Sequence, residues 1–253
     1  MDILHERITE SARSNTMDIT NNKSLDNFFR EFGRLRGEVS AKHFERLQVF
    51  FNEWSTQYES QKRAWSISAE RFNVFEVLGV ESDELSHSSF LAYLLRPSSK
   101  HDQGPRFLRS FLEWPRINHD AATPELKNAK VYTEYYASEF GRLDIVIFLH
   151  DGTVIVIENK VWATERPDQI SDYQKWAEEM TRGKADGSRV IFLTPDGRNP
   201  ESVNSASTIA VSCLSYSDLA AWLKSINDIP PRLKTVLGMY GNLCASIGVH
   251  NND

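Results

Sequence analysis

The sequence predicts an α/β fold in which a mixed central β-sheet, an antiparallel meander plus a βαβ crossover, is flanked by helices. Three strand-like runs follow one another between residues 130 and 161, and a helical segment and two further strand-like runs come next. Two of the first three runs flank the dipeptide Asp151-Gly152, a turn signal typical of a β-hairpin. Short connections make neighbouring strands antiparallel, whereas an intervening helix makes them parallel.

The amino-terminal part of the chain is predicted to be separate from this sheet, with a leader and helical hairpin over residues 1–70 and the main domain over 71–253. Residues 11–24 are polar and read as a loose leader. Apolar residues then recur at helical spacing in two stripes, over 25–39 and 44–58, with Gly37 between them. The hairpin could pack its aromatic face on the main domain or serve as a partner-binding arm, for example in a homodimer.

The elements of the main domain follow from periodicity and turn signals. In chain order they are helices at Ser82–Leu95 and Gly104–Glu113, strands at Lys130–Ala137, Arg142–Leu149 and Thr153–Val161, a helix at Pro167–Thr181, strands in SRVIFLT and TIAVSCL, and helices at Ser217–Ile226 and Pro231–Ile247.

Composition limits the function classes. The 253 residues are 40% hydrophobic and 25% charged, without an apolar run long enough for a bilayer or a signal peptide. The two cysteines, Cys213 and Cys244, are far apart and lack zinc-like spacing, so we expect a reduced, cytoplasmic protein with no membrane partner. The net charge of -6 argues against binding nucleic acid through bulk positive charge. A phosphate partner must therefore meet a local basic patch or a bound cation.

Three charged residues in the most hydrophobic segment, Asp144, Glu158 and Lys160, are the main functional signal. A two-residue hairpin loop would point the two carboxylates to opposite faces of the sheet. A three-residue loop over residues 150–152, closed by a left-handed glycine, places Asp144 directly across from Glu158, with Lys160 two residues on. Carboxylates at that separation repel strongly unless a cation lies between them.

These charges could instead form the wet face of an edge strand, or a salt-bridged strand end without chemistry. The run TVIVI is apolar at consecutive positions, as in a strand covered on both faces. Charges at the end of such a strand are costly unless they are paired or ligated. The pattern therefore favours a functional site.

The segments GRLDIVI and IENK form an Asp-x13-Glu-x-Lys pattern that resembles the PD-(D/E)XK nuclease superfamily. An upstream helix with Glu and a downstream helix with Gln and Tyr one turn apart extend the resemblance over roughly Asn73 to Leu214, and ELSHSSFLAYLL is similar to one bacterial branch. Leu143 stands where the family motif has Pro. The resemblance implies a restriction-endonuclease-like core with an N-terminal helical extension, and metal-dependent hydrolysis of phosphodiester bonds in DNA, in restriction or phage defence.

The resemblance also implies roles for individual residues. Asp144 and Glu158 would bind a divalent metal together with the main-chain carbonyl of Asn159 and the carboxylate of Glu84. Lys160 would orient the attacking water or stabilise developing negative charge. Hard oxygen ligands suit Mg²⁺, and Mn²⁺ should substitute for it.

Glu84 has support of its own, because it shares one helical face with the apolar stripe that points toward the sheet. The alternative is an acid in the first turn favoured by the helix dipole. Glu134, on the first strand, is a weaker candidate for the same role.

Four further residues are expected to contact substrate: Gln169, Tyr173, Arg142 and His87. Gln169 and Tyr173 lie one turn apart on the helix after the third strand, although Tyr173 could equally be core packing. Arg142 would lie across from Lys160 and bind phosphate. His87 would bond phosphate or a carboxylate, or be a structural histidine at the start of the helix.

Two other function classes stay open. One is a catalytically inactive nuclease-fold protein that acts as a protein-interaction module, against which the intact Asp, Glu and Lys argue. The other is a ribonuclease, since nothing in the sequence distinguishes the sugar. A GxSxG nucleophile elbow and a Walker-type phosphate loop are both absent from the sequence.

Overall fold

The computed structural model describes residues 41–117, 125–182 and 188–249. The chain divides into two units, Met1–Glu70 and Arg71–Asp253. In the first unit, helix α1 spans Ala41–Ser68, so the stripe predicted at 44–58 is helical and the helix continues ten residues beyond it. The stripe at 25–39, the break at Gly37 and hence the hairpin lie outside the described residues.

The second unit contains a five-stranded mixed sheet, which confirms the predicted α/β architecture. Its strands are β1 (Lys130–Tyr136), β2 (Arg142–Phe148), β3 (Val154–Asn159), β4 (Arg189–Thr194) and β5 (Ala210–Ser215), and they lie side by side in this order. The first three strands form an antiparallel meander, and β3–β4 and β4–β5 are parallel pairs. β3 is thus the strand at which the meander meets the crossover.

The helices of this unit are α2 (Val74–Val77), α3 (Glu84–Leu95), α4 (Arg106–Glu113), α5 (Gln169–Thr181), α6 (Tyr216–Ser225) and α7 (Pro231–Val249). α5 forms the crossover between β3 and β4. α3 begins two residues later than predicted, because Oδ1 of Asp83 accepts hydrogen bonds from the main-chain N–H groups of Leu85 and Ser86 and so caps the helix.

Two apolar layers cover the faces of the sheet. One layer contains Ile145, Ile147, Ile155 and Ile157 together with buried residues of α3, α4, α6 and α7. The other contains Val146, Val154 and Val156 together with Ile170, Tyr173 and Trp176 of α5. Every residue of β3 is buried, which explains why its sequence is apolar at consecutive positions.

The hairpin between β2 and β3 has the three-residue loop. The N–H of Leu149 donates to the carbonyl of Thr153 over 2.9 Å, and the N–H of Gly152 donates to the carbonyl of Leu149 over 3.2 Å. Gly152 has a φ of +94°, a conformation that other residues rarely adopt.

This loop sets the register of the two strands. Ile145 pairs with Ile157 and Phe148 pairs with Val154. One step further, the same register brings Asp144 opposite Glu158, so the predicted register is confirmed.

None of the helices in the described part of the chain is long and apolar enough to cross a membrane.

We expect Gly152→Ala to destabilise the protein by about 1–2 kcal/mol, because alanine is strained at this φ although no atom lies within 4 Å of its Cβ. Gly238→Ala is the matched control, since Gly238 is an exposed residue of α7 with equal room for a Cβ. That substitution should stabilise the protein by up to about 1 kcal/mol. Urea unfolding of both variants measures the difference, and equal effects would contradict the left-handed loop.

Candidate active site

The side chain of Asp144 joins the start of β2 to the end of β3. The last strand pair between them is Ile145–Ile157, and beyond it the main-chain N–H of Asn159 donates to Oδ2 of Asp144 over 2.8 Å. The carboxylate of Asp144 thus continues the link between the strands where main-chain pairing stops. This contact holds Asp144 beside the residues that follow Ile157.

The side chain of Asn159 anchors this strand end to the neighbouring helices. Its Nδ2 donates to the main-chain oxygen of Glu84 over 3.0 Å and to Oγ of Ser88 over 3.2 Å, and its Oδ1 accepts from the hydroxyl of Tyr216 over 2.8 Å. Asn159 is 1% exposed. Sequence reasoning assigned a role only to its main-chain carbonyl, and an amide inside an apolar run was the signal for this second role.

Glu158 is fully buried, and only one of its two carboxylate oxygens has hydrogen-bond partners among the described residues. Its Oε1 accepts from Nζ of Lys160 over 2.7 Å and from Nε2 of Gln169 over 2.6 Å. Its Oε2 is also buried and has no hydrogen-bond partner among the described residues. A buried carboxylate oxygen without a partner is costly.

Charge and burial shift the three pKa values of the cluster. Burial raises the pKa of Asp144 to about 6, against the hydrogen bond from Asn159 and the charge of Lys160. Burial, and then the charge of Asp144, raise the pKa of Glu158 to about 8. Burial alone would lower the pKa of Lys160, but the neighbouring carboxylates, Glu158 foremost, outweigh it and raise that pKa. The raised pKa of Glu158 thus reflects repulsion from Asp144, which the strand register sets opposite it.

Glu84 binds the main chain that follows β3. Its Oε1 accepts from the N–H groups of Val161 and Ala163, over 2.8 and 3.2 Å, and its Oε2 lies 3.9 Å from Nζ of Lys160. The shared buried face predicted for its helix is present, since Ser88, Leu91 and Leu95 are all buried. Glu84 therefore lies at the edge of the charged cluster.

Gln169 and Tyr173 lie beside the site but point into the protein. Gln169 bridges the carboxylate of Glu158 and the hydroxyl of Tyr173, the latter over 2.9 Å, and that hydroxyl donates to the main-chain oxygen of Arg142 over 2.9 Å. Tyr173 is 1% exposed, which favours the core packing that the sequence left open as an alternative to substrate contact. Both side chains instead hold Glu158 in place.

His87 lies in the core, which favours the structural histidine that the sequence left open over a contact with phosphate or a carboxylate. Its ring is buried, with Nδ1 3.0 Å from the hydroxyl of Tyr240 and Nε2 3.3 Å from the main-chain oxygen of Glu81. Burial lowers its pKa, which keeps the ring neutral. The structural alternative from the sequence therefore applies.

Arg142 and Glu134 form an ion pair at the rim. Nη1 of Arg142 lies 3.1 Å from Oε2 of Glu134, and both side chains are partly exposed. Glu134 has a φ of +52°, and its charge contributes to the raised pKa of Asp144. Arg142 stays accessible to a phosphate, whereas the carboxylate of Glu134 is bound by the guanidinium of Arg142.

The donor set fits a divalent cation of the Mg²⁺ type. Such ions are commonly held by one or two carboxylates and keep several waters, so Asp144 and Glu158 with a main-chain carbonyl are sufficient. The unpartnered Oε2 of Glu158 is a ready ligand atom, and a cation would offset the repulsion between the carboxylates. Over residues 41–117, 125–182 and 188–249, no group of three or more His, Cys, Asp or Glu side chains is placed to hold a metal ion.

Comparison with known proteins gives one match. A sequence model of the PD-(D/E)XK nuclease superfamily matches residues 72–238, which is more than half of the chain. Neither a search of curated proteins nor a search of solved structures found a match.

In metal-free buffer at pH 8, we expect Glu158→Gln to stabilise the protein by about 1–2 kcal/mol, because it removes a buried charge next to Asp144. The pKa of Glu158 is raised from 4.5 to about 8, so between these values the unfolded chain loses this proton while the folded protein keeps it, and stability falls as the pH rises. The gain should therefore shrink as the pH falls toward 5.

Glu165→Gln is the matched control. The Glu165 side chain is also buried, at 1% exposure, but it accepts from the N–H groups of Glu201 and Ser202 and from Oγ of Ser202. Its neutralisation should destabilise the protein by about 1–3 kcal/mol. Thermal unfolding of both variants tests the contrast, and a destabilised Glu158→Gln would contradict it.

Proposed function

The chain belongs to the PD-(D/E)XK nuclease superfamily, and we propose that it is a Mg²⁺-dependent deoxyribonuclease that hydrolyses phosphodiester bonds in DNA. The observation that carries the proposal is the pairing of Asp144 and Glu158 at adjacent strand ends, with Lys160 in contact and with no partner for Oε2 of Glu158 in the described part of the chain. A role in restriction or phage defence is part of the proposal and rests on analogy with the superfamily.

Asp144, Glu158 and the main-chain carbonyl of Asn159 are the proposed ligands of the cation, and Mn²⁺ should replace Mg²⁺. The bound ion would neutralise phosphate charge and lower the pKa of a coordinated water. Glu84 is a further ligand candidate through Oε2, since its Oε1 already accepts two main-chain hydrogen bonds.

The Lys160 ammonium is held in place before substrate arrives. Nζ of Lys160 contacts Glu158, and the side chain is 13% exposed, so it can contact a phosphate while remaining bound to Glu158. Its raised pKa keeps it cationic at neutral pH. A preorganised positive charge stabilises the negative charge that develops in the transition state.

Residues around the site orient these groups. Gln169 holds Oε1 of Glu158, and Tyr173 holds Gln169. Asn159 holds Asp144 through its main-chain N–H. Arg142, at the rim, is the proposed contact for a neighbouring phosphate, for which its guanidinium has to share the ion pair with Glu134.

We expect the wild type to cleave DNA, supplied as a plasmid and as a linear oligonucleotide, with Mg²⁺ or Mn²⁺, and Asp144→Asn, Glu158→Gln and Lys160→Ala to lose about 100-fold or more in rate. Asp151→Asn is the matched control, because Asp151 lies in the loop at the opposite end of the same hairpin and asparagine suits that turn. A time course with an RNA of the same sequence distinguishes a ribonuclease. Equal cleavage by all variants would falsify the assignment.

Metal binding has a separate readout. We expect saturating Mg²⁺ or Mn²⁺ to raise the melting temperature of the wild type. At an ion concentration of 100 Kd, the free energy of unfolding should increase by about 2.7 kcal/mol. Asp144→Asn should show a much smaller rise. A wild type whose melting temperature does not respond to either ion would favour the inactive interaction module.

A further inference from the structure

A cavity of about 210 Å³ opens next to the proposed catalytic residues. Lys160 forms part of its wall, and so do Trp162, Thr194, Asp196 and Arg198. The volume is below the 300–1,000 Å³ range of sites for drug-sized ligands, so it suits one small planar group. Nothing in the proposed reaction itself uses this cavity.

Trp162 lies on a part of the cavity wall whose main chain is hydrogen-bonded to α3. It is 54% exposed, which is unusual for a large apolar side chain beside a buried charged cluster. The main-chain N–H groups on either side of it, at Val161 and Ala163, both donate to Oε1 of Glu84. The main chain that carries the indole is therefore bound to one carboxylate of α3 through the residues before and after Trp162.

The part of the wall that follows β4 is hydrogen-bonded to the segment that follows β3 and carries Trp162. The buried carboxylate of Glu165 accepts from the main-chain N–H groups of Glu201 and Ser202. These bonds connect the loop after β3 with the loop after β4. Both sides of the cavity are therefore held before a ligand arrives, which lowers the ordering cost of binding.

The charges on the wall favour a base over a phosphate. The guanidinium of Arg198 lies 3.7 Å from Glu165 and 5.1 Å from the ring centre of Phe192, so it is already engaged. Asp196 and Glu201 add carboxylates that would repel an anion. A neutral heterocycle with N–H donors can stack on the indole and donate to such acceptors.

We propose that this cavity holds one unpaired nucleobase of the substrate strand, stacked on Trp162 and adjacent to the phosphate that Lys160 contacts. This inference rests on the proposed nuclease function and narrows its substrate to DNA with an unpaired base at the cleavage position, such as a single strand, a flap or a frayed end. A base in a continuous duplex would have to leave its stack to enter.

Fluorescence anisotropy with a labelled single-stranded oligonucleotide tests the proposal, with Ca²⁺ as the divalent ion. An abasic residue is placed at each position in turn, and every oligonucleotide is measured with the wild type, Trp162→Ala and Trp162→Phe. At one position the abasic residue should weaken binding to the wild type by about five- to 150-fold. Trp162→Ala should lose the same factor with the intact strand and nothing more with the abasic one. Trp162→Phe should retain most of the affinity.

Phe72→Ala is the matched control, because Phe72 is 52% exposed and does not line the cavity. It should bind as the wild type does. Independent losses from Trp162→Ala and from the abasic residue, or wild-type affinity of Trp162→Ala, would overturn the base site. So would tighter binding to a fully paired duplex than to the single strand.

The two proposals fail differently. A wild type that cleaves DNA with Mg²⁺ while the Trp162 variants behave as wild type removes the base site alone. A wild type that binds the single strand through Trp162 but cleaves no DNA removes the nuclease assignment alone. A wild type that binds none of the oligonucleotides and cleaves no DNA overturns both.

Discussion

The register of the β2–β3 hairpin is the constraint on which the site depends. Because side chains alternate along a strand, a slip of one residue would turn Glu158 away from Asp144 and toward α3. Burial discriminates weakly between the two registers here, since β3 is apolar and covered on both faces. The loop must therefore decide, and it does so through the left-handed conformation of Gly152 and the pairing of Leu149 with Thr153.

The register places an unfavourable charge arrangement in the protein interior. Glu158 is buried and Asp144 and Lys160 are partly buried at the strand ends, and one carboxylate oxygen of Glu158 has no partner among the described residues. Such a cluster persists only where the surrounding structure holds it. α3 contributes Glu84 and Ser88, α5 contributes Gln169, and α6 contributes Tyr216. The unfavourable electrostatic energy is concentrated where a bound cation would offset it.

The sequence predicts what depends on local pattern. The strands and helices of the second unit follow from periodicity, whereas turn chemistry allowed a two- or a three-residue loop and only the second sets Asp144 opposite Glu158. The side-chain role of Asn159 does not follow from local pattern, because its partner Tyr216 lies 57 positions away in the chain and only the folded sheet brings them together. His87 shows the same limit, since its helix position suggested the site while Tyr240 on α7 holds it in the core.

The charged residues Asp144, Glu158 and Lys160 and the residues that orient them come from different parts of the chain, which has a consequence for protein engineering. All three charged groups come from one short ribbon, but the bonds that aim them come from three helices scattered over the chain. Transplanting the ribbon onto a foreign scaffold would transfer the reactive groups without their alignment, and geometric tolerance at such sites is about 0.5 Å. A successful graft would have to copy the acceptors and donors of the host helices as well.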